Sequence, residues 1–480
     1  MLWDWTHRYR SAKEGTVKSS PTIRFLGAAQ TVTGSRFLLE LDKLRILIDA
    51  GMFQGLKELR LKNWDAFPIP PASIDAVVLT HAHLDHSGYL PLLVREGFSG
   101  RAYMTEYTSK LAEVVLRDSA HIQTEDAQYA AKKGFSKHAQ PRPLYDEHDV
   151  DEAIKLFAPV AFRTRVEIAA DTAITFHPSG HILGAAYVEV EFAGKRLLFT
   201  GDLGRKQHPL LVPPDPFPSG HFDAVITEST YGDRIHESPS NAFRDAINRT
   251  IGRGGTVIIP AFAVDRTEVI LMELRRLVEY QQIKRVPIYV DSPMALTSLG
   301  HYRDALHARS PEVRTDVANE WHDTDPFDPG NLHEMKTVED SKTLNDLHSP
   351  SIIISASGMA TGGRVVHHLV DSLPHPRNSV ILVGYQAVGT RGRSLLDGAK
   401  TIKIYGKQVP VNAEIISIES FSVHADGDEL IEWLHGASDA PDKTYVVHGE
   451  EDVAQTFARR LSESLNWRCE VPRDGQQFPL

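Results

Sequence analysis

The chain has 480 residues, of which 41% are hydrophobic and 24% are charged, a composition typical of a folded protein with two or three domains. Its single cysteine excludes an intramolecular disulfide, so any metal site has to rely on histidines and carboxylates. The net charge of -11 argues against nucleic-acid binding over the whole surface, but it does not exclude a local basic groove.

The N-terminal segment and the hydropathy pattern bear on targeting. Residues 1–20 contain no long apolar core, and no apolar run in the chain is long enough to cross a bilayer. We therefore expect an N-terminal extension over residues 1–20, no secretory signal, no membrane span and a cytoplasmic location.

Predicted elements change in character along the chain. Residues 21–230 are rich in apolar runs that end in Gly, Asp or His and predict strands, and TSKLAEVVLRDSAHIQTEDAQYAAKK predicts one long helix. Over residues 231–408 apolar strands alternate with helices, which predicts a parallel α/β domain with an irregular excursion at residues 314–350. Residues 409–480 return to strand, helix and strand.

The stretch THAHLDHSG directly follows the apolar run AVVL. In it, His81 and His83 alternate and can face one point, while Asp85 and His86 follow at a turn and can face a second point nearby. Imidazoles and a carboxylate suit Zn²⁺, Mn²⁺ or Fe. The spacing therefore predicts a metal site that needs further ligands from elsewhere.

Two later stretches offer such ligands. His181 lies in HPSGHILGAA, a predicted loop between strands, and Asp202 ends the apolar strand of LLFTGDLG. A carboxylate at a strand end can bridge two cations, and α/β proteins collect functional groups at such ends. His177 is nearby and is the weaker candidate.

This ordered set of H-x-H-x-D-H, a loop histidine and a strand-end aspartate resembles the metallo-β-lactamase superfamily. Asp49 in ILIDAG matches the aspartate that orients the ligands in that family. The later motifs ITESTYGDR, ESFSVHADGDEL and YVVHGEE are similar to those of its β-CASP group, whose members process nucleic acids. SFSVHAD resembles the cleavage-and-polyadenylation endonuclease branch, and the length resembles the compact bacterial members.

The resemblance implies an α/β protein with a metallo-β-lactamase αββα sandwich and an inserted parallel α/β β-CASP domain. The first part of the sandwich would cover residues 21–230, the β-CASP domain residues 231–408, and the returning part of the sandwich residues 409–480.

Two zinc ions that share one carboxylate are also implied, with Mn²⁺ as an alternative metal. One ion would be bound by His81, His83, His181 and Asp202. The other would be bound by Asp85, His86, Asp202 and His448. A hydroxide between the metals would attack phosphorus, and His424, held by Glu228, would protonate the leaving group.

Substrate positioning is expected from the insertion. ASGMATGGR forms a glycine-rich loop before an apolar helix, and such a loop presents backbone N–H groups to an anion. The residues that we expect to contact RNA phosphates are Ser355, Ser357, Gly362, Gly363, Arg364, Arg266 and Arg391.

The sequence therefore predicts a zinc-dependent ribonuclease acting on single-stranded RNA, as an endonuclease, a 5′-exonuclease or both. A histidine at the position of His448 is associated in this family with RNA substrates. The alternatives are a hydrolase of small thioesters or lactams from the same superfamily and a DNA nuclease. The sequence does not decide whether the protein forms a homodimer.

Overall fold

The computed structural model describes residues 20–133, 141–236, 241–321, 324–347 and 349–480. The expected N-terminal extension lies outside the described residues, apart from Ser20. In chain order, the strands within these ranges are β1 (Thr22–Phe25), β2 (Phe37–Leu41), β3 (Leu44–Ile48), β4 (Ala76–Val78), β5 (Arg101–Met104), β6 (Phe157–Pro159), β7 (Val166–Ala169), β8 (Thr172–Pro178), β9 (Ala186–Phe192), β10 (Lys195–Phe199), β11 (Ala224–Thr227), β12 (Thr256–Pro260), β13 (Ile288–Val290), β14 (Leu332–Glu334), β15 (Ser351–Ser355), β16 (Ser379–Leu382), β17 (Thr401–Ile404), β18 (Lys407–Pro410), β19 (Glu414–Ser417), β20 (Lys443–Val446), β21 (Cys469–Glu470) and β22 (Gln477–Pro479).

The helices in the same ranges are α1 (Lys57–Lys62), α2 (Leu84–Ser87), α3 (Leu90–Arg95), α4 (Glu106–Lys133), α5 (Glu147–Ile154), α6 (Ala242–Gly252), α7 (Arg266–Glu279), α8 (Pro293–His307), α9 (Thr315–Glu320), α10 (Val338–Thr343), α11 (Arg364–Ser372), α12 (Arg391–Leu396), α13 (Gly427–Leu434) and α14 (Glu451–Leu465). Single 3-10 turns occur at Pro71–Ser73, Leu344–Asp346 and Glu419–Phe421. Helix α4 begins at Glu106 and ends at Lys133, so the long helix predicted from the sequence is present.

Two seven-stranded sheets pack face to face. Their strand orders are β22-β1-β2-β3-β4-β5-β6 and β21-β20-β11-β10-β9-β8-β7. Because successive side chains of a strand point to opposite faces, one face of each sheet supplies a shared core. That core contains Phe25 and Ile48 from the first sheet and Phe176 and Phe199 from the second.

Helices cover the outer faces of both sheets. Helices α3, α4 and α5 pack on the first sheet through Leu93, Leu116 and Val150. Helices α13 and α14 pack on the second sheet through Leu430 and Phe457. These four layers confirm the αββα sandwich expected from the motifs.

The inserted segment builds a third sheet with the strand order β14-β13-β15-β12-β16-β19. Every pairing in it is parallel. Its central strands, such as SIIIS and TVIIP, are buried throughout or nearly so, as expected for parallel strands covered on both faces. The parallel α/β insertion is therefore confirmed.

Two details of the insertion differ from the sequence-based prediction. Residues 314–350, predicted as irregular, include the edge strand β14, which pairs with β13, and the helices α9 and α10. Strand β19 pairs with β16, so this sheet extends to Ser417, beyond the expected domain end at residue 408. Short strands carry too little periodicity to show which sheet they join. We therefore move the proposed end of the insertion to Ser417.

A long cleft lies between the sandwich and the insertion. Its volume is about 2030 Å³, and residues from α4, the THAHLDHSG loop, the glycine-rich loop and the β17–β18 hairpin line it. In the described part of the chain, no helix combines the length and apolar character that a bilayer crossing requires.

Candidate metal centre and active site

The site is assembled from the ends of strands. His81 and His83 follow β4, and Asp85 and His86 lie in the one-turn helix α2 that comes next. Asp202 follows β10 and His448 follows β20. Strands β10, β11 and β20 are parallel neighbours, so their carboxyl ends meet at one edge of the second sheet.

The first group of candidate ligands is His81, His83, His181 and Asp202, whose ligand atoms all lie within 4.8 Å of one another. Nδ1 of His83 is 3.1 Å from Nε2 of His81 and 3.2 Å from Nε2 of His181. Oδ2 of Asp202 lies 3.4 Å from Nε2 of His81 and 3.6 Å from Nε2 of His181. The four atoms therefore surround one point.

The second group is Asp85, His86 and His448, again with ligand atoms within 4.8 Å of one another. The Nε2 atoms of His86 and His448 are 3.1 Å apart, and Oδ2 of Asp85 is 3.7 Å from Nε2 of His448. The other oxygen of Asp202, Oδ1, lies 3.4 Å from Nε2 of His86. One carboxylate thus turns an oxygen to each group, which is the arrangement of a bridging ligand.

Asp49 holds the His86 ring of the second group in position through the ring nitrogen that faces away from the other ligands. Its Oδ2 lies 2.8 Å from Nδ1 of His86, and Thr80 donates to both carboxylate oxygens from its backbone N–H and its hydroxyl. A carboxylate that accepts from the far nitrogen of a ligating histidine fixes the ring's tautomer and orientation. Gly51 in the same loop packs on the motif, since a Cβ there would lie 1.7 Å from the Asp85 carbonyl oxygen.

The chemistry of this cluster suits bound cations. Oδ1 of Asp202 is buried and has no hydrogen-bond donor among the described residues, although buried polar atoms normally have partners. In the first group, burial lowers the pKa of His81 and His181 well below the usual value and that of His83 to about 4, which favours the neutral imidazole that binds metal. In the second group burial also opposes the charged form, but the carboxylate of Asp202 outweighs it and raises the pKa of His86 and His448. A set of imidazoles and carboxylates fits zinc.

His424 and Glu228 lie beside the first group. Nδ1 of His424 is 3.3 Å from Oε2 of Glu228, and the other oxygen of Glu228 accepts from the backbone N–H of Leu203 at 2.6 Å. The ring of His424 is partly exposed, whereas Glu228 is buried. The histidine therefore faces the cleft while its partner is held by the protein.

Sequence reasoning missed residues that position this pair and the ligands. His236 donates from Nε2 to the carbonyl of His424 at 3.0 Å, and its backbone N–H donates to Asp426. The Thr230 hydroxyl lies 3.1 Å from Nδ1 of His448. Both residues are close to Glu228 in the chain, but only the folded structure brings them to the late motifs.

Most of the residues expected to contact RNA phosphates line the cleft, and one does not. Arg266, Ser357, Gly362, Gly363, Arg364 and Arg391 line the cleft. Ser355 does not line it, because its hydroxyl is buried and donates to the Asp291 carbonyl at 2.8 Å. We therefore remove Ser355 from the candidate phosphate contacts. His177 also lies apart from the ligand groups, 2.8 Å from Glu189 and stacked on Tyr187.

Arg266 is the most distinctive of the cleft cations. It is only 5% exposed, and its Nε and Nη1 have no hydrogen-bond partner among the described residues. Arg364 differs, since Nη1 donates to the buried carboxylate of Asp291 at 2.7 Å. A buried guanidinium without an anion costs free energy, so Arg266 is a candidate contact for an anionic ligand.

The sandwich and the histidine-rich cluster are those of a metallo-β-lactamase-type hydrolase, and family comparisons agree. Residues 32–247 match the metallo-beta-lactamase superfamily, and residues 267–395 match the Beta-Casp domain. Residues 408–472 match a Zn-dependent metallo-hydrolase RNA specificity domain.

Similar proteins are known from bacteria and archaea. The chain is 37% identical over 457 residues to Ribonuclease TTHA0252 of Thermus thermophilus, covering 95% of this chain and 99% of that protein. It is 30% identical to an RNase J-like protein of Methanocaldococcus jannaschii, covering 95% and 99%, respectively. A transcription termination factor FttA of the same archaeon is 30% identical, covering 94% of this chain and 70% of that protein. The chain therefore belongs to the β-CASP group of the metallo-β-lactamase superfamily.

A solved structure supports the fold alone. A protein of unknown function from Enterococcus faecalis V583 superposes with a TM-score of 0.52 at 14% identity, covering 96% of this chain and 100% of that one.

Proposed function

We propose that this protein is a zinc-dependent ribonuclease that hydrolyses phosphodiester bonds of single-stranded RNA. The observation that carries the proposal is the position of Asp202, whose two oxygens face two separate ligand groups beside the pair of His424 and Glu228. The relatives named ribonuclease and the match to an RNA specificity domain support it.

Two zinc ions would be held by the two ligand groups, with Asp202 shared between them. Such a pair supplies Lewis acidity toward a phosphate oxygen and an activated water, the chemistry on which two-metal phosphodiesterases rely. Asp49 would hold the ring of His86 in the tautomer that leaves Nε2 free for the metal.

His424 would act as the general acid. In its imidazolium form, Nδ1 donates to Glu228 and Nε2 carries the proton that passes to the leaving ribose oxygen. A ribose alkoxide is a poor leaving group, and general acid catalysis is typically worth about 10²–10⁴ in rate. Because Glu228 also accepts from Leu203, its carboxylate is fixed before substrate arrives.

The cleft cations and the glycine-rich loop would position the substrate. Arg266 would form an ion pair with a phosphate near the metals, since its guanidinium is buried and its Nε and Nη1 lack partners among the described residues. The backbone N–H groups of Val365 and Val366 in α11 already donate to the carbonyls of Ala356 and Gly363. The N–H groups of Gly363 and Arg364, at the very start of this helix, would therefore be the ones to bind a further phosphate.

The size of the cleft favours a polymer over a small substrate. Its volume of about 2030 Å³ exceeds the roughly 300–1,000 Å³ of ordinary small-molecule pockets. A thioester or lactam hydrolase needs neither this length nor the His424–Glu228 pair.

The test is a substrate comparison on one preparation. Zinc per chain is counted, and the protein is then incubated with 5′-labelled single-stranded RNA, the matching DNA and a thioester. The proposal predicts two zinc ions per chain and cleavage of RNA that the Asp85→Ala substitution abolishes. Intact RNA beside a hydrolysed thioester, or cleavage of DNA alone, would refute it.

A further inference from the structure

Two exposed aromatic side chains meet across the cleft, apart from the ligand groups. Tyr129 lies on α4 of the sandwich, and Tyr405 lies at the turn of the β17–β18 hairpin, which is inserted between the third-sheet strands β16 and β19. The two residues are 43% and 42% exposed, and their ring centroids are 6.2 Å apart at 64°. Large aromatic side chains that stay exposed in a cleft are typical of binding surfaces.

A third ring extends this pair toward the glycine-rich loop. Nε2 of His367 lies 2.9 Å from the hydroxyl of Tyr405, and the two rings are 4.9 Å apart at 33°. His367 lies on α11, one turn after Arg364. The three rings and the loop therefore line one continuous cleft that also contains the candidate metal ligands.

Cations line the cleft together with the rings. Lys132, Lys403 and Lys407 line the same cleft, and none of them has an ion-pair partner in the described ranges. Arg391 donates to the carbonyls of Thr361 and Lys403, so it ties the glycine-rich loop to the hairpin. Three carboxylates of α4, those of Asp118, Glu125 and Asp126, also line the cleft, and Glu125 lies 3.5 Å from His121. Positive charge is thus in excess, as a phosphate backbone requires.

We propose that Tyr129, Tyr405 and His367 form a stacking subsite for an unpaired base of the RNA, away from the bond that is cut. Lys403 and Lys407 bind the phosphates that flank this base. Aromatic platforms beside cations are how proteins bind single strands without reading their sequence, since every base offers a flat face. The rings fit single-stranded RNA and not a duplex, whose bases are stacked on each other. The subsite rests on the proposed function, because it names where the same substrate is held.

The test measures binding separately from cleavage. In the Asp85→Ala background, the dissociation constant of a long fluorescent uridine oligoribonucleotide is measured for the parent and for Tyr129→Ala/Tyr405→Ala. We expect the double substitution to weaken binding about tenfold or more. Tyr405→Phe keeps the ring and is expected to bind as the parent does. Tyr280→Ala is the matched control, since Tyr280 is 70% exposed at the end of α7, away from the cleft lining.

Two further measurements sharpen the result. With Asp85 intact, the double tyrosine substitution should lower the ratio of kcat/KM for the long oligonucleotide to kcat/KM for a dinucleotide by about tenfold. The Lys403→Ala/Lys407→Ala variant should reduce the slope of log affinity against log salt by about 1.4.

Equal dissociation constants for the parent and the double tyrosine variant would overturn the subsite. So would a Tyr405→Phe variant that binds as weakly as the alanine variant, because hydrogen bonding and not stacking would then hold the RNA. Failure of the parent to cleave any RNA would refute the proposed function. If the parent binds RNA without cleaving it, a loss of binding in the double tyrosine variant would still support the subsite.

Discussion

His424 and Glu228 separate this site from a simple metal hydrolase at the scale of single residues. We expect His424→Ala to keep both metals and to lower kcat on RNA by about 10²–10⁴, because the variant loses only the proton donor. Steady-state kinetics and metal analysis on the same sample measure both effects. His221→Ala is the matched control, since His221 lies on the surface 3.3 Å from Asp442. Loss of metal in the His424 variant would make this residue a ligand instead.

Asp49 acts through His86. The substitution Asp49→Asn replaces the carboxylate that accepts from Nδ1 of His86, so we expect zinc affinity to fall by about 10–100-fold. Competition with a chromogenic chelator measures the change. The exposed Asp439 offers the control substitution Asp439→Asn. Equal zinc affinity in the parent and in the Asp49→Asn variant would show that the ring of His86 is held by its other contacts.

At the scale of elements, the loop between β8 and β9 carries His181 and is fastened by the insertion. The carboxylate of Glu312 accepts from the backbone N–H of Gly184 at 2.5 Å, and the hydroxyl of Tyr302 accepts from the backbone N–H of Leu183 at 3.0 Å. Two contacts from the inserted domain thus fix a loop of the sandwich, and through it one candidate ligand.

Glu312 gives this loop a pH dependence. Burial raises its pKa from the ordinary 4.5 to about 7, with Glu106 adding to the effect. Between pH 4.5 and about 7, the folded state holds the proton on Glu312 while the unfolded state has released it. The contribution of Glu312 to the free energy of unfolding is therefore full below pH 4.5 and is lost as the pH rises through about 7. The loss is on the order of 3 kcal/mol. We expect the Glu312→Gln substitution to remove this loss, which is measured as the difference between the free energies of denaturant unfolding at pH 5 and pH 8. The control substitution Glu463→Gln, at an exposed position, is expected to leave that difference unchanged. Parallel pH profiles for the parent and Glu312→Gln would contradict this.

What the sequence predicts is local, and what it misses is long-range. Helix α4 and the strand-end positions of His81, Asp202 and His448 follow from periodicity and from the residues that end each apolar run. The membership of β19 in the third sheet and the contact of His236 with His424 depend on pairings between distant segments. Ser355 shows the same limit, since the motif does not reveal that its hydroxyl points away from the cleft.

At the scale of the whole molecule, the candidate ligands lie between His81 and His448 in the chain. They come from the part of the sandwich before the insertion and from the part after it, so a bound metal would connect the two parts. Metal binding should therefore stabilise the entire fold. We expect zinc at 100 times its dissociation constant to raise the free energy of unfolding by about 2.7 kcal/mol per site, and EDTA to reverse the gain. Calorimetry with and without EDTA measures it, with Asp202→Ala as the variant that should respond far less. An equal melting temperature for the parent under both conditions would contradict a metal centre at this position.

The most direct measurement is a zinc titration of the metal-free protein in which bound zinc and cleavage of 5′-labelled single-stranded RNA are followed together. A centre with Asp202 shared between two ligand groups predicts no cleavage without zinc, little with one ion per chain and full activity only with two. Cleavage by the metal-free protein, or full activity with a single ion bound, would contradict the account.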